Sequence, residues 1–318
     1  MTLIIRRLYR GGVETPSIAY ITNSNQAHYH PYVPPPPPTY AGDIVYKSNG
    51  KLKTINYEEW TDSLGTPVGV VVVPSGFAPD GKARMLSLHW TIGQGGDTTD
   101  PYGSSWGRSF DYVSIPNCDM FPTTDNAGST TTGSNDMGYL PSDKFTGATS
   151  YVDSTAKYSG ATTSNMIPSP YLGDKPNPAY YAEISGYNNA LADFDGKGNT
   201  DVIVALGNGY ESANGARNYK AAGAEEIEWY LPAAGELGYI MPRLNKIQAA
   251  LAKVNANELK VDVYSYTYPS YWSSTEITNG ITGKIDAVQL ELSSGRILGV
   301  EKDEAYGGYL TRPFALLP

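Results

Sequence analysis

Residues 229–237 have the sequence Trp-Tyr-Leu-Pro-Ala-Ala-Gly-Glu-Leu, and this stretch predicts where a helix begins. Proline suits the first position of a helix because its missing N–H needs no partner there. Leu231-Pro232 is therefore expected to open a helix over residues 233–241. Glu236 falls in the first turns, where a negative charge interacts favourably with the helix dipole.

Further helices are predicted on both sides of this stretch. Upstream, Asn199-Thr200 is expected to cap a helix over residues 201–206, and residues 213–222 form a small-residue helix candidate that ends at Gly223. Downstream, a helix is predicted from Pro242. Its apolar residues recur at intervals of three and four and form one buried stripe, which consists of Leu244, Ile247, Leu251 and Val254.

Strand patterns flank the helical part of the chain and indicate an α+β fold. Along residues 288–292 the even-numbered apolar residues are expected to face one way, and Gln289 and Glu291 the other, outward. The chain is expected to close on residues 309–317. The other predicted strands are residues 43–46 and 52–55 around an Asn49-Gly50 turn, residues 67–73, residues 84–90, and residues 297–300 after a turn at 293–296.

Two regions interrupt the folded pattern. Residues 1–40 combine short β-prone pieces with five prolines at 34–38, which favour a stiff polyproline spacer. They are interpreted as an extended anchoring arm, the alternative being a disordered tail. Residues 91–178 are rich in Gly, Ser, Thr, Asp and Pro, with scattered aromatic residues such as Trp106. This stretch is expected to be a loop-rich insertion within the domain 41–318.

Composition excludes several classes of function. The chain has 318 residues, a formal net charge of −9, one cysteine (Cys118) and three histidines. A single cysteine excludes a disulfide framework, and an acidic body disfavours nucleic acid as a partner. No apolar run reaches about 18 residues, so no membrane insertion is expected. Arg6, Arg7 and Arg10 against Glu14 give residues 1–40 a charge of +2, which leaves −11 on the rest.

Three ordered motifs carry a resemblance to a known family. They are the stretch 229–237, Tyr-Trp-Ser-Ser-Thr-Glu at 271–276, and Arg-Pro-Phe at 312–314. The chain resembles the C-type-lectin-like domain of the fibrobacter major paralogous family, as found in Bacteroidales and phage variable or structural proteins. Residues 195–200, 42–46 and 66–70 are also similar to that group. The resemblance covers residues 42–90 and 185–318 and implies a C-type-lectin-like fold. Glu276 and Arg312 are expected to pair across the closing strands.

Two activities of lectin-like folds lack their residues in this chain. Calcium-dependent sugar binding uses Glu-Pro-Asn or Gln-Pro-Asp triplets, and neither triplet occurs. Formylglycine-generating catalysis needs a pair of reactive cysteines, whereas this chain has Cys118 alone. The resemblance therefore favours a binding scaffold whose ligand surface is formed by the last strands and loops. In some members of the group a retroelement diversifies the C-terminal segment.

The expected ligand surface lies between the loop before the Tyr-Trp-Ser-Ser motif and the C-terminus. Tyrosine suits a binding surface because it offers a large contact area at low entropic cost, although these tyrosines could instead fill the rim of a β-rich core. The candidate ligand-binding residues are Tyr264, Tyr266, Tyr268, Ile277, Thr278, Asn279, Gln289, Glu291, Arg296, Lys302, Tyr306 and Tyr309.

A calcium loop is the one cofactor site that the spacing suggests. Its candidate ligands are Asp193, Asp195, Asn199 and Asp201, but the twelfth position of such a loop is Val204, which offers no side-chain oxygen. The sequence therefore favours a turn and a helix cap here, with no cofactor. No catalytic residue is predicted.

These expectations combine into a non-enzymatic structural and adhesive protein of a phage particle, of the fibre or decoration type. The arm is expected to bind virion proteins and the head a host-surface glycan or protein. No secretory leader is recognisable, which favours assembly into a virion in the host cytoplasm. The alternatives are an exported or cell-surface bacterial adhesin of the same family and a glycan-active enzyme. The oligomeric state stays open, a homo-oligomer included.

Overall fold

The protein is described from a computed structural model. Side chains and their surroundings are described for residues 39–91, 105–107, 113, 115, 140, 190–261, 270–277, 285–293, 295–302 and 309–318. Backbone pairing alone is described for strands within 3–31, 122–123, 135–139, 171–176 and 278–279. The chain divides into two compact units, Met1–Pro38 and Thr39–Pro318.

The first unit is a three-stranded antiparallel sheet. Strand β2 is its centre and pairs with β1 on one side and β3 on the other. The β-prone pieces therefore fold back on one another, whereas the sequence was interpreted as a singly extended arm. The strands are β1 Leu3–Arg10, β2 Val13–Ile21 and β3 Ala27–Pro31.

The second unit begins with a five-stranded antiparallel sheet, here called sheet A, in the order β16-β7-β6-β4-β5. The C-terminal strand β16 thus closes the sheet beside β7. Asn49 and Gly50 have φ of 51° and 73°, so both occupy the left-handed region that the predicted two-residue turn requires. The strands are β4 Ile44–Ser48, β5 Lys51–Ile55, β6 Thr66–Val73, β7 Arg84–Ser87 and β16 Phe314–Leu316.

A second sheet, sheet B, has the order β15-β12-β13-β14-β9, with β8 pairing β12 as well. Strands β12, β13, β14 and β9 are antiparallel neighbours, whereas β15 and β8 run parallel to β12. Its strands are β8 Pro122–Thr123, β9 Asn135–Tyr139, β12 Ser270–Asn279, β13 Ile285–Glu291, β14 Arg296–Glu301 and β15 Tyr309–Leu310. A separate short pair consists of β10 Tyr171–Leu172 and β11 Lys175–Pro176.

The helices lie between the strands of the two sheets in the sequence. They are α1 Gly196–Ala205, α2 Glu211–Asn218, α3 Ala234–Gly238 and α4 Leu244–Lys253. Helix α3 packs against β12 and β13, and α4 packs against β6. The stripe predicted for α4 is confirmed at Leu244, Ile247 and Leu251, which are buried. This mixture of helices and antiparallel sheets is an α+β fold.

Three predicted helix bounds are wrong, each for a local reason. Helix α1 begins at Gly196 because Asp195, not Asn199-Thr200, caps it by accepting a hydrogen bond from the Gly198 N–H at 3.1 Å. Helix α2 ends four residues early because Tyr219 turns extended and packs its ring against Trp229. Helix α3 covers Ala234–Gly238 and not residues 233–241, with Ala233 still extended before its start.

One apolar core joins the two sheets and the helices. Val70 of β6, Leu86 of β7, Leu237 of α3, Ile247 of α4 and Leu290 of β13 all belong to the same cluster of buried side chains. A smaller cluster lies on sheet A around Trp229, Met85 and Val45, so sheet A is covered on both faces. Among the described helices, none has the length and apolar character needed to cross a bilayer.

Candidate functional site

The Tyr-Trp-Ser-Ser-Thr-Glu motif forms a wide β-bulge in strand β12. Trp272 pairs with Gln289 and Glu276 with Ala287, so residues 273–275 together oppose Val288. The Ser273 hydroxyl donates a hydrogen bond to the Val288 carbonyl at 2.8 Å, and the Ser274 N–H donates to the Pro232 carbonyl at 2.7 Å. The bulge therefore connects sheet B to the start of helix α3, and its buried polar residues have local partners.

Asp193 connects the bulge to helix α1. Its Oδ2 accepts hydrogen bonds from the Asn199 Nδ2 and the Thr275 hydroxyl, both at 2.8 Å, and its Oδ1 accepts from the Asp195 N–H at 3.0 Å. Asn199 Nδ2 also donates to the Ser274 Oγ at 3.2 Å. All these side chains except that of Asp195 are buried. This carboxylate is thus an acceptor for the scaffold itself.

The suggested calcium ligands do not converge on one point. Asp193 and Asn199 bond each other, Asp195 caps helix α1, and Asp201 forms ion pairs with Lys197 and Arg217. Each of the three aspartates thus already accepts a hydrogen bond from the chain or forms an ion pair with it. Within the described residues, no group of three or more metal-ligating side chains is present.

Glu236 forms a buried ion pair with Arg84, the first residue of strand β7 in sheet A. Its Oε1 accepts from the Arg84 Nε at 2.9 Å and from the Tyr230 hydroxyl at 3.0 Å, and its Oε2 accepts from the Ala233 N–H at 2.9 Å. Burial raises the pKa of Glu236 to about 7, although Arg84 and the Ala233 N–H act in the opposite direction. Burial opposes the charge of Arg84, yet Asp80 and Glu236 raise its pKa, so it stays a cation.

Glu276 forms a second buried ion pair, with Lys302, on sheet B. Its Oε1 accepts hydrogen bonds from the Lys302 amine and, at 3.0 Å, from the Val113 N–H. The Lys302 Nζ lies 4.6 Å from the ring centroid of Trp106, whose indole N–H donates to the Ser273 carbonyl at 2.6 Å. The pair is thus covered by Trp106, a residue of the loop-rich insertion.

The predicted pairing of Glu276 with Arg312 is wrong. Arg312 instead donates to the carbonyls of Ser87 at 2.8 Å, Leu88 at 3.0 Å and Asn257 at 2.9 Å. Burial lowers the pKa of Arg312 to about 10. Because three carbonyls of the surrounding chain bind the guanidinium, this arginine holds the C-terminal segment beside β7.

Most described residues of the predicted ligand surface are buried. Gln289 and Glu291 are predicted to face outward, but both are buried because both faces of β13 are covered. Ile277 and Lys302 are buried as well, Ile277 in the apolar core and Lys302 beside Glu276. Thr278 and Asn279 pair through their backbones with β8. Tyr264, Tyr266, Tyr268 and Tyr306 lie outside the described residues.

Arg296 and Tyr309 are the candidates described as partly exposed, and they lie in one row across sheet B. Tyr309 is aligned with Ser270, Ser270 with Glu291, and Glu291 with Arg296. Three strand spacings of about 4.8 Å separate Tyr309 from Arg296 by roughly 14 Å. The Tyr309 ring packs edge-on against Trp272, with 5.2 Å between ring centroids. A rigid sheet thus carries both side chains.

A narrow apolar crevice between α3 and sheet B is a poor ligand site. Leu191, Leu237, Val288 and Ile297 line it among others, and it leaves no space for a water-sized sphere. The bulge, the two ion pairs and the row across sheet B are therefore the features from which a function must be argued.

Several site residues had no signal in the sequence. Trp106 lies 167 positions before Ser273, to which it donates its hydrogen bond, and no periodicity surrounds it. Arg84 was expected only as a strand residue, although it binds Glu236 152 positions away.

Comparisons of the chain with protein-family models, with curated proteins and with solved structures found no match.

Proposed function

We propose that the chain is a non-enzymatic structural and adhesive protein of a phage particle, of the fibre or decoration type. Residues 39–318 would form a C-type-lectin-like head that binds a host-surface glycan or protein. Residues 1–38 would attach the head to virion proteins. Nucleic acid and membrane are not partners in this proposal.

The use of three buried carboxylates as structural acceptors supports a scaffold. Asp193 binds the bulge and helix α1, Glu236 binds Arg84 and the start of α3, and Glu276 binds Lys302. Arg312 fastens the chain's last strand beside β7 through three carbonyls. Closure of the C-terminal strand onto sheet A, with the mixed sheet B in the same unit, supports a lectin-like head.

The row across sheet B is the observation that carries the adhesive role. An aromatic ring backed by Trp272 and a cationic Arg296 at the same level of a rigid sheet suit contact with a polar surface ligand. The segments 262–269 and 303–308, which carry the other candidate tyrosines, join the sheet at Ser270 and Tyr309 in this same row.

The test purifies particles from the strain that carries the gene and measures the chain in them by mass spectrometry. The full chain is expected to co-purify with the particles, and a chain lacking residues 1–38 is expected to be absent. Thermal unfolding of the truncated chain checks that its head still folds. Incorporation of the truncated chain would refute the anchor, and absence of the full chain would refute the virion role.

Two substitutions in the row test adhesion separately. Arg296→Ala and Tyr309→Ala are expected to enter particles normally but to reduce adsorption of those particles to host cells by tenfold or more. The matched control is Lys53→Ala on β5, an exposed residue of sheet A outside the row. Normal adsorption of both row variants would exclude this row as the binding surface.

A further inference from the structure

Gln289 is a fully buried amide that the fold leaves without a partner. Its exposed fraction is 0%, and neither its Nε2 nor its Oε1 has a hydrogen-bond partner within the described part of the chain. Buried side-chain polar atoms in proteins nearly always bind a protein group or an ordered molecule. This glutamine therefore needs an explanation that the rest of the site does not supply.

A second unpartnered atom lies on the same face of sheet B. Glu276 uses Oε1 for Lys302 and the Val113 N–H, whereas its Oε2 is buried and has no hydrogen-bond partner in the described residues. Gln289 is aligned with Trp272, and Glu276 with Ala287, two residues from Gln289 on β13. Residues placed diagonally in this way share a face with Cβ atoms about 7–8 Å apart. The two side chains are therefore neighbours.

The unpartnered atoms define the chemistry that would complete them. Glu276 Oε2 and Gln289 Oε1 require donors, and Gln289 Nε2 requires an acceptor. An anion is repelled by the carboxylate, and an ammonium ion offers no acceptor to the amide. A hydroxyl group satisfies both requirements because it donates one hydrogen bond and accepts others. Trp272, aligned with Gln289, gives the same face an aromatic neighbour.

We propose that this face of sheet B binds a hydroxyl ligand that bridges Glu276 Oε2 and the Gln289 amide. The hydroxyl comes from an ordered internal water or from a saccharide. The inference is independent of the virion role, since it depends on the partners of two side chains and not on where the protein is displayed. Its residues lie on the same face of sheet B as Arg296 and Tyr309, one row further along the strands, because Gln289 lies two residues from Glu291 on β13.

The first test uses the sign of a stability change. Gln289→Met removes the amide at nearly constant volume. If the amide binds a hydroxyl, the variant is expected to lower the Tm of the full chain by about 2–4 °C. If Gln289 has no partner, replacing it with an apolar side chain raises the Tm or leaves it unchanged. An unchanged or higher Tm overturns the proposal.

Gln248→Met is the matched control. Gln248 Nε2 donates to the Leu259 carbonyl at 2.7 Å, and its Oε1 accepts from the Leu259 N–H at the same distance. Because the partners of this amide belong to the chain, its loss is expected to lower the Tm whatever occupies the site at Gln289. The control thus calibrates the cost of removing one glutamine whose two partners are known.

The second test is a crystal structure of the full chain, without additive and after soaking with simple hexoses. Density within hydrogen-bond distance of Glu276 Oε2 and the Gln289 amide supports the site. Its presence before soaking identifies water as the source, and its appearance only after soaking identifies a saccharide. A Gln289 amide bonded to protein groups, with no density beside Glu276, overturns the proposal.

Discussion

Glu236 and Glu276 are both buried glutamates that face a buried cation, but the chain supplies hydrogen-bond donors to both carboxylate oxygens in only one of them. Glu236 accepts three hydrogen bonds shared between its two oxygens, from Arg84, Tyr230 and the Ala233 N–H. Glu276 accepts two, both on Oε1, and its Oε2 has no partner in the described residues. Both oxygens of the Glu236 carboxylate thus bond to the scaffold. One oxygen of Glu276 remains an acceptor that no donor of the described residues uses.

Under the proposal for sheet B, this difference separates a structural residue from a ligand residue within one set of motifs. Both glutamates belong to stretches that carried the lectin-like resemblance, and neither the residue type nor the burial distinguishes them. Their hydrogen-bond partners do, because both oxygens of Glu236 accept hydrogen bonds from the chain, whereas only one oxygen of Glu276 does so within the described residues. The same criterion assigns Asp193 to the scaffold, since its two oxygens accept from three donors of the chain.

The largest expected effect on stability follows from removing the Glu236 carboxylate. Glu236→Ala leaves the Tyr230 hydroxyl and the Ala233 N–H buried without that acceptor and removes a counter-charge of Arg84. The free energy of unfolding is expected to fall by about 3–5 kcal/mol. Glu276→Ala is expected to cost about 1–2 kcal/mol less because fewer donors lose an acceptor. Urea unfolding followed by circular dichroism measures both values.

Equal losses in the two variants would contradict the comparison. If Glu236→Ala does not accumulate as folded protein, Tyr230→Phe removes one of the three hydrogen bonds alone and is expected to cost about 1–2 kcal/mol. A cost near zero for that variant would show that the Glu236 cluster contributes little to stability.

The second effect is a dependence of stability on pH. Burial raises the pKa of Glu236 from 4.5 to about 7. Between these values the folded protein keeps a proton that the unfolded chain has already released, so the free energy of unfolding falls as the pH rises. For one group the loss amounts to roughly 3 kcal/mol across the window.

Glu236→Gln provides the comparison for this pH effect because its amide does not titrate. Urea unfolding at pH 5 and pH 7.5 is expected to show a decrease in the wild type that is absent in the variant. Parallel pH profiles of the two proteins would assign the slope to other groups and would contradict the raised pKa of Glu236.

Local signals were sufficient to predict most elements of the fold. The Asn49-Gly50 turn, the apolar strand predicted at 67–73 and found at 66–73, and the stripe of helix α4 depend on neighbours in sequence, and all three were predicted. Helix starts were predicted less well, since the cap at Asp195 competes with an equally suitable cap at Asn199-Thr200. The choice depends on Asn199, which is engaged by Asp193 and Ser274 of the tertiary structure.

Pairings in the site could not be predicted because they depend on which strands become neighbours. Glu276 was expected to bind Arg312, but Lys302, just after the end of β14, reaches it instead. The alternation along β13 did not reveal that its second face is also covered. Trp106 covers the pair of Glu276 and Lys302 from a stretch without periodicity, where only its aromatic character suggested packing.

The smallest of the three effects tests how tightly the chain packs around the Glu236 carboxylate. A Cβ added at Gly196 would lie 2.3 Å from Glu236 Oε2 and 2.6 Å from the Ala233 nitrogen. Gly196→Ala therefore forces the Glu236 carboxylate and the start of α3 to shift away from the new methyl group. A loss of about 1–3 kcal/mol is expected. For Gly198→Ala, in the same turn, the three atoms nearest to the added Cβ all belong to the Asp195 side chain, and the gain in helix propensity offsets the weakened cap. Thermal unfolding should therefore separate the two alanine variants, and equal Tm values would mean that the Glu236 side chain has room to shift.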